Sequence, residues 1–359
     1  MSFLRFMFGV SACCWLLSCG NTGAEPVDYG PLLEKVSEQV ILPEQRAFED
    51  EADALVVLVQ ALESSPDADT LLAAQQGWRK TRRSFRVLDA LHFGPNLTSR
   101  ITERIDVSPV DANGIETLVA GTAAVDDAAV RAAGGQKKGF LGLEYLLFSA
   151  AASAPPALAE DEFAPRRRAL ALGIAHEIAQ SAHQLDDLWE GDDGGFIEQV
   201  KLAGAGGTRY ATQRAAVDDL VGGCSYALEL VVGIRLAMPL GRKTGGVPDP
   251  TLDPTARSDS AVADMQASLA GVFAAYSGDG LGTVIAKKSA PLDGVVEDEF
   301  SDGQTKLAAI PAPFALSVVN DTALVQSAYD SLRALKATWN TDVASALGAT
   351  VKVGDNDGD

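Results

Sequence analysis

Glu144 is the acid whose surroundings stand out. Read as a helix, its neighbours four residues away are Phe140 and Phe148, and those three away are Leu141 and Leu147. A helix apolar nearly all round is normally buried. An ionised carboxylate there is costly without a partner, so one is expected. Trp78, Arg82, Arg86 and Asp89 recur at steps of four, four and three along another helical stripe. Arg82 is the expected partner of Glu144, because a planar guanidinium can grip a carboxylate at two points. Asp106, between Ile105 and Val107, is placed to join the same network. Glu144, Arg82, Asp106 and Trp78 are therefore the candidate ligand-binding residues. The same four residues are open to a second reading, a buried salt-bridge cluster that only fixes helix packing.

The other reactive residues carry weaker signals. His176-Glu177-Ile178-Ala179-Gln180 resembles the zinc-protease helix motif, but Gln180 stands where the second His is needed. His183 lies seven residues beyond His176, roughly 10 Å along a helix, too far to share an ion with it. A solvated helical face, with His183 paired to Asp187, is the expected reading. His92 is expected to sit at the end of the long helix, where an imidazolium suits the dipole. Cys224 follows Gly222-Gly223 in an apolar stretch and is expected to be a buried, inert thiol. Asp355-Asn356-Asp357-Gly358-Asp359 has its Gly misplaced for a calcium loop. No catalytic residue is assigned: Gly-x-Ser-x-Gly, phosphate-loop and dinucleotide motifs are all lacking.

The elements that must position these residues read as helices. Phe48, Ala52, Leu55, Val59 and Leu62 mark one helix from about residue 43 to 63, and a long one follows from about 70 to 93. Further helices are expected at 140–148, 162–190, 210–236, 259–276 and 321–347. Asp111 and Asp259 are read as N-caps, and 291–313 as acidic and irregular. No series of alternating strands appears, so the fold expected is all-α, with two helical-bundle halves packed together. They would be residues 31–150 and 160–350, divided by the low-complexity linker 150–160. An acidic tail covers 351–359.

The 359 residues include 29 Lys and Arg against 49 Asp and Glu, a formal charge of −20. That balance argues against nucleic acid as a partner, since phosphate binding needs clustered positive charge. At the N-terminus, Phe6 to Leu17 is an apolar run too short to span a bilayer. It ends in Leu16-Leu17-Ser18-Cys19, which resembles a bacterial lipobox. Residues 1–18 are thus expected to be a lipoprotein signal peptide, with Cys19 lipidated and 19–30 a tether. Membrane attachment would then come from the acyl chains on Cys19, since an acidic body does not adhere to anionic lipid.

Three blocks in order carry a resemblance. They are Gly77-Trp78-Arg79-Lys80-Thr81-Arg82-Arg83-Ser84-Phe85 with Leu91-His92-Phe93-Gly94-Pro95, then Arg104 to Asp111, then Lys138 to Phe148. Ser258-Asp259-Ser260 before a helix is compatible with it. The chain resembles the imelysin family of bacterial envelope proteins. That resemblance implies two bundle-like halves with a functional site between them. It also implies secretion or lipid anchoring in the envelope, at the periplasmic face or outer membrane, and a link to iron uptake. Some members were named as metallopeptidases. The family's Gly-x-His-x-x-Glu signature reads Gly139-Phe140-Leu141-Gly142-Leu143-Glu144 here, with Leu141 in place of the His. One carboxylate does not hold a transition metal, which needs three or four ligands. Iron or another divalent metal is therefore expected only if donors converge from elsewhere. The expectation is a non-enzymatic binding or accessory protein whose partner is a metal or another envelope protein. A metallopeptidase and a purely structural or interaction module are the alternatives.

Overall fold

The computed structural model describes residues 27–148, 155–191 and 195–351. The expected signal segment, Cys19, most of the tether, the start of the 150–160 linker and nearly all of the acidic tail lie outside them. Among the described residues the chain is all helix and turn, with no strand. No single helix there is long and apolar enough to cross a membrane. The principal helices are α1 (Gly30–Val36), α2 (Leu42–Ser64), α3 (Ala68–Asp89), α4 (Gly139–Leu147), α5 (Ala164–Glu190), α6 (Gln213–Glu229), α7 (Ala261–Tyr276), α8 (Ala290–Ala308) and α9 (Thr322–Thr338).

Local chemistry sets these boundaries. Asp67 and Thr70 form a reciprocal capping box at the start of α3, satisfying amides that have no partner within the helix. α4 begins at Gly139, whose φ of +62° and close approach to the Ile105 carbonyl leave no room for a Cβ. α8 occupies a stretch expected to be irregular. Ser289 caps it, Pro291 sits in its first turn, and Val296, Phe300, Gly303 and Leu307 form its buried stripe. Its many outward acids hid that stripe. Asp259 is not the cap of α7. It adopts a left-handed φ of +53°, and its carboxylate accepts from the Phe314 amide.

Two apolar cores result. The first joins α2, α3, α4 and α5 through Phe48, Leu55, Trp78, Phe85, Phe140 and Ile174. The second joins α1, α6, α7, α8 and α9 through Leu33, Val221, Met265, Phe300, Leu332 and Trp339. They do not divide at 150–160 as expected, because α5 completes the first core from beyond that segment. The chain passes to the second core between Leu185 and Trp189. Two earlier stretches, 29–41 and 90–93, also belong to the second core. The cores meet where α7 lies on α3. A Cβ on Gly271 of α7 would stand 2.2 Å from the Val87 carbonyl oxygen, so glycine is what allows this approach.

Candidate functional site

The α3 stripe is as its spacing predicts: Trp78, Arg82 and Arg86 are buried on one face, and Asp89 ends it. The Trp78 indole Nε1–H donates to the Phe140 carbonyl at 3.0 Å, tying α3 to α4. The Arg82 guanidinium, 1% exposed, lies over both the Trp78 and Phe140 rings. Such faces attract a desolvated cation.

Arg82 does not pair with Glu144. Its Nη1 is 2.7 Å from Asp106, and its Nη2 is 2.8 Å from Asp264 on α7. Arg86 also binds Asp106 and lies 3.5 Å from Asp264. Two guanidiniums and two carboxylates thus form a buried network spanning both cores, with Asp89 at its edge 3.5 Å from Arg86. Burial alone would favour a neutral Asp106, but Arg82 and Arg86 outweigh it and hold that carboxyl below the usual range. Burial likewise opposes charge on Arg82, and Asp106 and Asp264 more than restore it.

Glu144 is fully buried and finds a different partner. Its Oε1 accepts from the Ser258 hydroxyl at 2.6 Å and from the Ser258 amide at 2.9 Å. The Ser258 carbonyl in turn accepts from Arg79 of α3 at 3.1 Å. Ser258 lies on the loop ahead of α7, so the acid of α4 and the cation of α3 together clamp that loop onto the first core. Glu144 Oε2 has no partner among the described residues. Desolvation pushes the Glu144 carboxyl above its ordinary pKa, and the Ser258 bonds and the fields of Arg82 and Arg257 offset only part of this.

Beside these groups is a cavity of about 690 Å³, walled by both cores. Arg82, Arg86, Asp106 and Leu141 face it from one side. Tyr226, Arg235 and Arg257 face it from the other. α6 runs into a π-helical segment, Leu230–Leu236, which brings Leu230, Ile234 and Arg235 to the cavity wall. Single π-turns of this kind recur at functional sites. His92 lies beyond the end of α3 rather than capping it. Its ring stacks on Tyr226 with centroids 4.2 Å apart, and both line the cavity. Asp253 also faces it, its carboxyl pushed up to about 6 by burial against the pull of two Thr255 hydrogen bonds.

Sequence reasoning missed Asp264, Ser258, Arg235 and Arg257. Only Ser258, in the Ser258-Asp259-Ser260 block, carried a signal. The remaining candidates stand apart from the cavity. His176 pairs with Asp127 at 2.9 Å, and His183 with Asp53 at 2.9 Å rather than with Asp187. Cys224 is wholly buried, its thiol pushed up to about 12 by desolvation.

The residues present do not fit a bound transition metal. Leu141 faces the cavity where the signature has His, and Glu144, with one oxygen held by Ser258, is left as a single donor. Among the described residues no three His, Cys, Asp or Glu side chains converge to hold an ion.

The sequence model of the imelysin family matches residues 41–339. Iron-regulated protein A of Synechococcus elongatus is 23% identical over 313 residues, covering 84% of this chain and 81% of that one. The crystal structure of a putative iron-regulated protein A precursor from Parabacteroides distasonis superposes with a TM-score of 0.78 at 18% identity, covering 91% and 97% of the two chains. An imelysin-like protein from Psychrobacter arcticum gives a TM-score of 0.73 at 16% identity, covering 91% and 98%. With the family model covering most of its length and the same helical fold in both solved structures, this chain belongs to the imelysin family.

Proposed function

We propose that this protein is a lipid-anchored envelope protein that binds a ligand, without turning it over, in the cavity between its two cores. The cavity carries the reading. It is of a size that takes a small molecule, both cores wall it, and buried charged groups fix its shape. Arg82 and Asp106 stand in that wall, Trp78 backs Arg82, and Glu144 holds the loop that carries Arg257 into it. The names of its relatives, one an iron-regulated protein A and one a precursor, support a tie to iron and an exported location, and iron uptake is the role proposed for it. Cys19, in its lipobox-like setting, would carry the anchor.

The test has two arms. Radiolabelled palmitate should enter the full-length chain in a bacterial host and be lost in Cys19→Ala. Calorimetric titration of the purified protein with iron, haem and zinc, each beside a broad set of small metabolites, should find at least one ligand. Its binding should weaken when Ile234→Trp fills the cavity. If no ligand binds, or if binding ignores Ile234→Trp, the cavity is not a binding site. The purely structural module then stands, supported by the internal pairing of Arg82, Arg86, Asp106 and Asp264. Casein turnover abolished by a chelator would instead restore the metallopeptidase reading.

A further inference from the structure

The hydrogen-bonding capacity left over in the cavity wall is mostly of one kind. Arg82 and Arg86 are consumed by Asp106 and Asp264. Arg235 is not: among the described residues it forms no ion pair, and of its five donors one is used, Nη1 to the Ser268 hydroxyl at 3.1 Å. Arg257 forms no ion pair either and lies over the Tyr145 ring, its centroid 5.4 Å away. Arg86 Nε and His92 Nδ1 add nothing to this surplus, since they face Asp264 at 3.5 Å and Asp89 at 3.8 Å. The acids of the same wall are largely engaged. Asp89 lies near Arg86 and His92, and Glu103 bonds Arg100. Asp253 keeps one oxygen unpaired while the other takes two bonds from Thr255. Unused guanidinium forks beside apolar Leu141, Leu230 and Ile234 describe a receptor for an organic oxyanion, since Arg matches carboxylate and phosphate at two points.

We infer that the cavity takes a small organic anion, free or as a metal chelate, whose carboxylate or phosphate groups are bound by Arg235 and Arg257. This rests on the cavity being the ligand site, and it names the class of ligand. The state of Arg235 agrees with it. Desolvation and the neighbouring Arg86 and Arg82 depress its guanidinium to about 10, a burden that a bound anion would relieve.

The experiment titrates the purified protein with citrate, inorganic phosphate, ferric citrate, zinc and haem. Arg235→Met and Arg257→Gln are compared with Arg333→Met, an exposed arginine on α9 as control. Circular dichroism establishes that each variant folds. If Arg235→Met does not, the half-buried Arg257 and the charge-keeping Arg235→Lys carry the test. The expected result is binding of citrate or phosphate that weakens roughly tenfold or more in the Arg235 and Arg257 variants and is unchanged in the control. Tighter binding of ferric citrate than of citrate would make the cargo a chelate, and equal binding a free anion. If neither anion binds the wild type, or if the variants bind as well as it does, the inference is overturned. Haem or zinc binding in that case would leave the cavity a ligand site for a different class of molecule.

Discussion

The contact between Glu144 and Ser258 makes a sharp prediction. Removing the hydroxyl with Ser258→Ala deletes the 2.6 Å bond to a buried carboxylate and leaves the amide bond at 2.9 Å. A hydrogen bond to a charged group contributes about 1.5–3 kcal/mol, and one between neutral groups about 0.5–1.5 kcal/mol. Unfolding entropy near ~2.1 cal/mol/K per residue gives roughly 0.65 kcal/mol per degree for a chain with about three hundred ordered residues. Ser258→Ala should therefore lower Tm by about 2–5 °C at pH 7. In a Glu144→Gln background the same change should cost less than half as much, because the acceptor is neutral. The pH dependence has a fixed sign. The Glu144 carboxyl is raised above its unfolded value, so the folded state is penalised once the group ionises. That penalty is absent below the ordinary glutamate pKa and grows as pH rises through the folded value. Glu144→Gln should accordingly match the wild type at about pH 4 and equal or exceed it in stability at pH 7. Thermal melts followed by circular dichroism, on the two single variants and the double variant at both pH values, read all of this. A Ser258→Ala cost that is zero, or that is the same with Glu and Gln at position 144, would refute the reasoning.

Other changes test the remaining contacts. Arg82→Met leaves Asp264 and Asp106 only their contacts with Arg86, and should cost about 3–5 kcal/mol, a Tm fall of roughly 5–8 °C. A melt within 1–2 °C of wild type, about the effect of a surface substitution, would contradict the buried pairing. Gly271→Ala places a Cβ against the Val87 carbonyl and should destabilise by about 1–3 kcal/mol as α7 is pushed from α3, again read by melting. Leu141→His restores the signature His and should still give no tight zinc binding by calorimetry, because with Glu144 it supplies only two donors where zinc needs three or four.

The sequence made the helices legible where the apolar stripe was clean. α2, α3 and α5 follow from Phe48 to Leu62, from Trp78 to Arg86 and from residues 162–190, and burial of Glu144 followed from its four large neighbours. Local spacing could not name the partner of Glu144. Ser258 is 114 residues away, and Arg82, though suitable in chemistry, was already claimed by Asp264 of α7. Arg235 escaped notice because a π-helical segment shifts the register that α-helical counting assumes. α8 was hidden by Asp293, Glu297, Asp298 and Asp302, whose charges obscured a regular buried stripe. The boundary between cores was misplaced for a related reason. Composition marks the 150–160 segment as a break, but packing carries α5 back across it.

The early excursion of residues 29–41 into the second core bears on biosynthesis. Leu33, Val36 and Ile41 are among the first described residues to leave the ribosome, yet the core they join draws on residues 90–93 and, chiefly, on residues 189–347. The Tyr29 hydroxyl finds its acceptor, the Leu347 carbonyl, only once the chain has been made through that residue. Until then this apolar segment is only partly covered, and closing it is a contact of very long sequence separation, the kind that slows folding and exposes nascent chains to aggregation. The second core is thus completed only once residue 347 has emerged, and holdase chaperones would be needed most by its earliest segment.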